Sequence, residues 1–381
     1  MWLSAAEALK RLGSKPQSLY ANVSRGRIRA RPDPTDARRS QYLADDVERL
    51  AGKARGRRPS ASVAAEAVDW GEPLFKTAIS TVVDGRLIYR GQDAVVLAGA
   101  LAFEDVAERL LETPLGGLPT VGSHDLGIPN LLLDLAGRLG SARPSLGMSR
   151  LELRAEAADL LGLVTDKLAG PDRGDVAARL ARRWKVDNAS APISRALVLL
   201  ADHELNPSTF AARVTVSTGA PLAAGMLAGL GALLGPRHGM SAGYVSALAD
   251  DLGATVDAES SLRNWLGEGR VLPGFGHRLY PLGDVRARAL LDAFEAPNEY
   301  KAFERVGREL TGEAPNVDFA LSALASAFNL PKEAPLTLFA LARSAGWLAH
   351  MIEQLESGQL IRPRARYVRH NGEGNTTWSI S

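Results

Sequence analysis

Three short segments of this 381-residue chain gather the side chains that could move protons. The first is Ala201-Asp202-His203-Glu204-Leu205-Asn206-Pro207-Ser208-Thr209-Phe210, followed by a Gly/Ala-rich run that ends in Gly235-Pro236-Arg237-His238-Gly239. Gly235, Pro236 and Gly239 force an irregular backbone around His238. Such a break can aim an imidazole at a substrate, and an ordinary loop histidine has the same surroundings. The second is Val271-Leu272-Pro273-Gly274-Phe275-Gly276-His277-Arg278-Leu279-Tyr280, running on to Gly283-Asp284-Val285-Arg286-Ala287. Gly274 and Gly276 leave backbone amides open to a nucleotide or phosphate just ahead of His277. A turn between two helices would use the same residues, and the spacing matches neither the P-loop nor the dinucleotide fingerprint. The third, Ala314-Pro315-Asn316-Val317-Asp318-Phe319-Ala320-Leu321-Ser322, puts Asp318 just before a helical run, as a carboxylate base or as a helix cap.

Composition narrows the chemistry. Cysteine is absent, which excludes disulfides, a thiol nucleophile and thiolate metal sites. With 46% apolar and 23% charged residues the chain can bury a core, and its length predicts two or three compact units. Neither a secretory leader nor an apolar run long enough to span a membrane is legible, so a cytoplasmic, bacterial protein is expected. Residues 1–58 carry 14 Lys/Arg against 6 Asp/Glu, a balance of +8 that leaves −6 for the remainder.

The elements that must position these segments are mostly helices. Apolar residues recur at helical spacing over 131–139, 151–168, 192–203, 211–234, 287–294 and 336–355. Runs at 77–83 and 86–90 flank Asp84-Gly85 and predict a β-hairpin. At the N-terminus, Ser4 caps a helix with Ala5, Ala8, Leu9 and Leu12 on one face, and Pro16 opens a second helix that ends at Gly26. A two-stranded wing over 28–42 and a closing helix with Val47 and Leu50 follow. This segment resembles the winged helix-turn-helix of the excisionase and MerR-like families. Arg25, Arg27, Arg29, Arg31, Arg38 and Arg39 fit contacts to DNA phosphates through residues 1–58, and a protein-docking role fits them equally.

Taken in order, the three chemical segments resemble the citrate synthase family. Tyr89-Arg90-Gly91, Ala349-His350-Met351-Ile352-Glu353-Gln354 and Arg362-Pro363-Arg364-Ala365-Arg366-Tyr367 match it as well, so the likeness runs from about Phe75 to Val368. It implies a mainly α, two-domain helical fold with a short β-hairpin, preceded by the small winged module. The expected organisation is the module at 1–52, a linker at 53–70, a large domain at 71–238 and 326–381, and a small domain at 239–325. The implied assembly is a homodimer.

The resemblance further implies a Claisen condensation of acetyl-CoA with oxaloacetate, followed by thioester hydrolysis, without metal or cofactor. Asp318 matches the base, His238 the enol stabiliser and His277 the acid. His203, Arg286 and Arg362 match oxaloacetate contacts, and Ser208 and Asn316 match residues that orient the His238 ring. Val271, Leu272, Pro273, Gly274, Phe275, Gly276 and Arg278 match the CoA site, and Arg369 is a candidate for an arginine reaching the partner subunit. The chain departs from the pattern where Gly239-Met240-Ser241 follows His238, and where residues 112–130 are short. Two alternatives stay open: a 2-methylcitrate synthase using propionyl-CoA, and a DNA-binding regulator that senses acyl-CoA or oxo acid.

Overall fold

The computed structural model describes residues 2–12, 19, 23, 28–32, 40–48, 75–115, 125–172, 174–253 and 258–363, and its contacts divide the chain into Met1–Lys76 and Thr77–Ser381. In the first unit, β1 (Trp2–Leu3) leads into α1 (Ala5–Leu12) through a capping box. The Glu7 N–H donates to Ser4 Oγ at 3.3 Å and the Ser4 N–H to Glu7 Oε2 at 2.9 Å, which satisfies two amides that the helix itself cannot. Ala5, Ala8, Leu9 and Leu12 pack with Leu19, Ile28, Tyr42 and Val47. β2 (Ala30–Pro32) and β3 (Ser40–Leu43) form the expected antiparallel pair, and β1, which periodicity did not reveal in two residues, adds to the other edge of β3. Arg29 pairs with Asp46 and Arg31 stands 4.4 Å over the Trp2 ring. Arg25, Arg27, Arg38, Arg39, the linker at 53–70 and the tail with Arg369 lie outside the described residues.

In the second unit Asp84 and Gly85 both take left-handed backbone, φ 51° and 72°, as a two-residue hairpin turn needs. β4 (Ser80–Val83) thus pairs with β5 (Arg86–Tyr89), and β6 (Gln92–Asp93) widens the sheet. Asp93 caps α2 (Ala94–Ala100). The described helices that follow are α3 (Phe103–Leu111), α4 (Ile128–Leu139), α5 (Arg150–Ala169), α6 (Val176–Trp184), α7 (Ser190–Leu200), α8 (Pro207–Ser217), α9 (Leu222–Leu233), α10 (Ser241–Gly253), α11 (Ala258–Gly267), α12 (Val285–Leu291), α13 (Asn298–Thr311), α14 (Val317–Ala327) and α15 (Ala334–Ser357). One expectation is corrected. The periodic run 211–234 is two helices, because Gly219 at φ 86° and Pro221 end α8 and begin α9.

Two apolar clusters hold this unit. The larger one surrounds α15, whose Leu338, Leu341, Ala345, Trp347, Leu348 and Met351 are buried against α3, α5, α7, α8 and α9. α9 approaches α15 so closely that a Cβ on Gly225 would lie 2.1 Å from Met351 Sδ. The smaller cluster joins Val245, Leu262, Phe275, Tyr300, Phe303 and Phe319. α14 belongs to both, with Ala320 and Leu321 in the larger cluster and Phe319 and Ala323 in the smaller. Asp318 therefore sits on the helix that the two clusters share. No described helix is long and apolar enough to cross a membrane.

Candidate active site

The β-hairpin clamps the turn between α7 and α8 that carries His203. Ser80 Oγ donates to Asp202 Oδ2 and accepts the Glu204 N–H at 2.9 Å, while Glu204 Oε1 accepts the Val82 N–H at 2.6 Å. Tyr89 Oη donates to the carbonyl of Asp202 at 2.9 Å. These contacts hold Glu204 in left-handed backbone, φ 50°, a conformation that costs a non-glycine residue energy. Asp202 Oδ2 also accepts from His350 Nε2 at 3.0 Å, so α15 fixes the same turn from the other side. His203 is buried, with its imidazole held far below its ordinary pKa by burial first and then by Arg286 and Arg343.

His238 lies in the tight connection from α9 to α10. The Gly239 N–H closes onto the Leu233 carbonyl at 2.9 Å. A Cβ at Gly239 would meet that oxygen at 2.7 Å, so only glycine fits. Ser208, in the first turn of α8, puts Oγ 2.8 Å from His238 Nε2. The same oxygen accepts the Trp347 Nε1–H at 3.1 Å and lies 2.6 Å from Asn206 Oδ1. Phe339 meets the His238 ring edge-on at 5.5 Å. Burial, and after it the Arg343 charge, pushes the His238 pKa down to about 4.

The glycine loop is zipped to the segment before α14. The Asn316 N–H donates to the Gly274 carbonyl at 2.8 Å and the Gly276 N–H to the Ala314 carbonyl at 2.9 Å. This delivers His277 beside His203, with ring centroids 5.2 Å apart at 87°. The Leu279 N–H donates to His277 Nδ1 at 3.2 Å, so the neutral ring carries its hydrogen on Nε2. Burial and then Arg286 lower its pKa to about 4. Asp284 caps α12 and grips the buried Arg286 through two bonds of 2.9 and 2.7 Å. Its Oδ2 also accepts the Val317 N–H at 3.1 Å, tying Arg286 to the start of α14.

Asp318 is in the first turn of α14 and is not its cap. Asn316 Oδ1 caps the helix, accepting from Asp318 N at 3.0 Å. Burial raises the Asp318 pKa from 3.8 to about 6, opposed by a Ser241 hydrogen bond and the charge of Arg286. Ser241 in turn donates its N–H to the His238 carbonyl at 3.0 Å. At neutral pH the arrangement offers one ionised carboxylate of raised basicity, three uncharged imidazoles and buried guanidinium groups. Carboxylate and imidazole pKa values displaced in this way are a signature of acid–base chemistry.

The structure thus brings His203 and His277 into ring contact within the field of Arg286, and links Ser208 to His238 and, through Ser241, His238 to Asp318. Asn316 ties the glycine loop to the start of α14. Its Oδ1 caps α14 and one Nδ2 hydrogen goes to the Gly276 carbonyl at 3.1 Å. Arg362 is exposed beyond α15 and is not drawn into these contacts. Within the expected CoA segment, Leu272 and Phe275 are buried in the smaller cluster, whereas Val271 and Arg278 are exposed. Sequence reasoning missed Arg343. It is 1% exposed, donates from Nε to the Leu200 carbonyl at 2.8 Å and has a buried NH2 without a hydrogen-bond partner. The available signal was that Arg343 is the only charged residue in the apolar run 334–349, where an arginine is rarely buried without purpose.

Comparison with known proteins finds related sequences and folds. A family model described as "Citrate synthase, C-terminal domain" matches residues 149–364. Citrate synthase 2 of Bacillus subtilis is 39% identical over 185 residues, 46% of this chain and 50% of that protein, so this match spans half of the relative's length. A relative from Mycobacterium tuberculosis is 32% identical over 325 residues, 74% of this chain and 87% of that one. Among solved structures, citrate synthase from Thermotoga maritima superposes with a TM-score of 0.63 at 26% identity, covering 80% of this chain and 96% of that chain.

Proposed function

The chain belongs to the citrate synthase family, and from that premise we propose that it condenses acetyl-CoA with oxaloacetate and hydrolyses the resulting thioester to citrate and CoA. The observation that carries this reading is the pairing of a carboxylate raised to about 6, Asp318, with imidazoles lowered to about 4, His238 and His277. A methyl group beside a thioester is a very weak acid. A carboxylate base removes its proton only if the enolate oxygen is stabilised as charge develops there. In this proposal Asp318 takes the proton while His238, with Nε2 2.8 Å from Ser208 Oγ, stabilises the thioester oxygen as the enol forms. The enol then attacks the ketone of oxaloacetate, and His277 donates from Nε2 to the oxygen that becomes the hydroxyl. Arg286 and Arg343 are permanent cations for the two carboxylates, and the buried, unpartnered NH2 of Arg343 supports its part. Movement of the helices around the smaller cluster would close the site over the oxo acid and exclude water.

Propionyl-CoA is the second donor to consider, because Met240 replaces a glycine of the family pattern next to His238 and is 48% exposed. One methylene changes binding by only about 1–3 kcal/mol. The test is thiol release with acetyl-CoA or propionyl-CoA, each with and without oxaloacetate, for the natural protein and Asp318→Ala. Turnover that needs both substrates and disappears in the variant is expected; no turnover with either donor refutes the enzyme reading. For residues 1–58 we propose a winged helix-turn-helix module that binds duplex DNA, supported by the α1 cap and the β2–β3 wing. The full chain should then bind a duplex at low salt and lose affinity as salt rises. Absence of binding at low salt removes that proposal.

A further inference from the structure

Tyr280 has no part in the chemistry above, yet it is 2% exposed and stands among three groups of the site. Its ring centroid lies 5.6 Å from that of His203 and 5.0 Å from that of His277, and the Arg286 guanidinium is 5.2 Å over its face. Its Oη lies 3.0 Å from His203 Nε2. That contact has two polarities, and hydrogen counting separates them. Among the described residues, Oη has no other hydrogen-bond partner. If His203 Nε2–H were the donor, the phenolic hydrogen would be buried without an acceptor, which carries the full desolvation cost of a polar group. If the phenol donates, its hydrogen is satisfied and the neutral imidazole must carry its own hydrogen on Nδ1, which is not among the buried atoms without a partner and so stays open to a ligand. His203 is neutral because burial and the two guanidiniums disfavour its charged form, so its tautomer decides what it can offer a ligand.

We infer that Tyr280 is a positioning residue: by donating from Oη to His203 Nε2 it fixes the Nδ1–H tautomer, and so makes His203 a hydrogen-bond donor to an oxygen of the oxo acid. The identity of that acceptor rests on the function proposed above; the tautomer does not. The aromatic ring supplies packing and the hydroxyl alone supplies the polarity, so Tyr280→Phe separates the two. Without the hydroxyl, His203 is free to move its hydrogen to Nε2 and meet the oxo acid with a bare nitrogen, which repels a carboxylate or carbonyl oxygen.

The experiment is long-range proton–nitrogen correlation spectroscopy on full-length protein carrying 15N-histidine, without substrates at pH 7.5, with His203 assigned by its loss in His203→Asn. The natural protein should show Nδ1 of His203 protonated, and Tyr280→Phe should move the hydrogen to Nε2 or give a mixture of tautomers. In steady-state kinetics the variant should raise KM for oxaloacetate roughly tenfold, the value of about one hydrogen bond, with KM for the acyl-CoA unchanged. Protonation on Nε2 in the natural protein overturns the inference even if the variant does not fold. So does an unchanged tautomer in the variant, or an unchanged oxaloacetate KM beside a shifted tautomer. If neither protein turns over, the proposed function fails while the spectra still decide the role of Tyr280.

Discussion

Replacing Asp318 with asparagine should abolish turnover and stabilise the protein, but only above the pH at which the carboxylate ionises. Burial raises the Asp318 pKa from 3.8 to about 6. The folded state therefore binds this proton more tightly than the unfolded chain, and stability is lost as pH rises through that interval. The penalty is absent well below 3.8, grows between the two values and is complete above about 7. Each pH unit corresponds to about 1.4 kcal/mol, so the full cost is about 3 kcal/mol. Partial solvent access to the side chain reduces it to about 2 kcal/mol. The asparagine side chain has nearly the same shape and no charge, so Asp318→Asn should gain about 1–2 kcal/mol at pH 8 and about a third of that at pH 4.5. For a unit of this size that is a rise of several degrees in Tm. Thermal melts of both proteins at the two pH values measure it. A gain of the same size at both, or a loss at pH 8 alone, would mean that the carboxylate is not desolvated and that the basis for its role as base is wrong.

Three further outcomes follow from the geometry. Turnover should rise with pH through about 6, as Asp318 loses its proton, and then stay level to pH 9, because His238 and His277 are already neutral above about 4; an acid limb near 4 in a kcat profile would exclude Asp318 as the base. Arg343→Met should raise KM for oxaloacetate at least about tenfold, yet change unfolding free energy by less than about 1 kcal/mol, since a buried cation with an unpartnered NH2 gives way to apolar packing; initial-rate kinetics and denaturant melts separate the two effects. Gly274→Ala should cost about 1–3 kcal/mol, because φ is 81° and the added Cβ would lie 2.8 Å from Val245 Cγ2; an unchanged urea midpoint would contradict it.

The local elements were legible where short-range rules act alone. Asp84-Gly85 demanded a hairpin turn, Ser4 a helix cap, and the spacing of apolar residues a largely helical body. The break inside 211–234 was written in Gly219 and Pro221 as well, but periodicity hid it, because the apolar faces of α8 and α9 continue across the turn. The strand at Trp2–Leu3 was not legible, since two residues carry no period and their pairing depends on Tyr42 and Leu43, about forty residues away.

For the site, the sequence by itself determined which functional groups exist and in what order. Without cysteine, chemistry had to rest on oxygen and nitrogen groups, and His203, His238, His277, Arg286 and Asp318 stood in segments whose glycines and prolines make irregular backbone. Only the tertiary structure decided their states and their company. A pKa is set by neighbours brought from distant positions: burial and Arg343 for His238, and burial, Ser241 and Arg286 for Asp318. The same folding set Asn316 to cap α14 and hold the Gly276 carbonyl, partners that only the packed chain brings within reach. It also carried Arg343 from the middle of an apolar helix and Tyr280 from a loop to the imidazoles. Ionisation and tautomer depend on through-space distance and desolvation, and those quantities come into being only when the chain has packed.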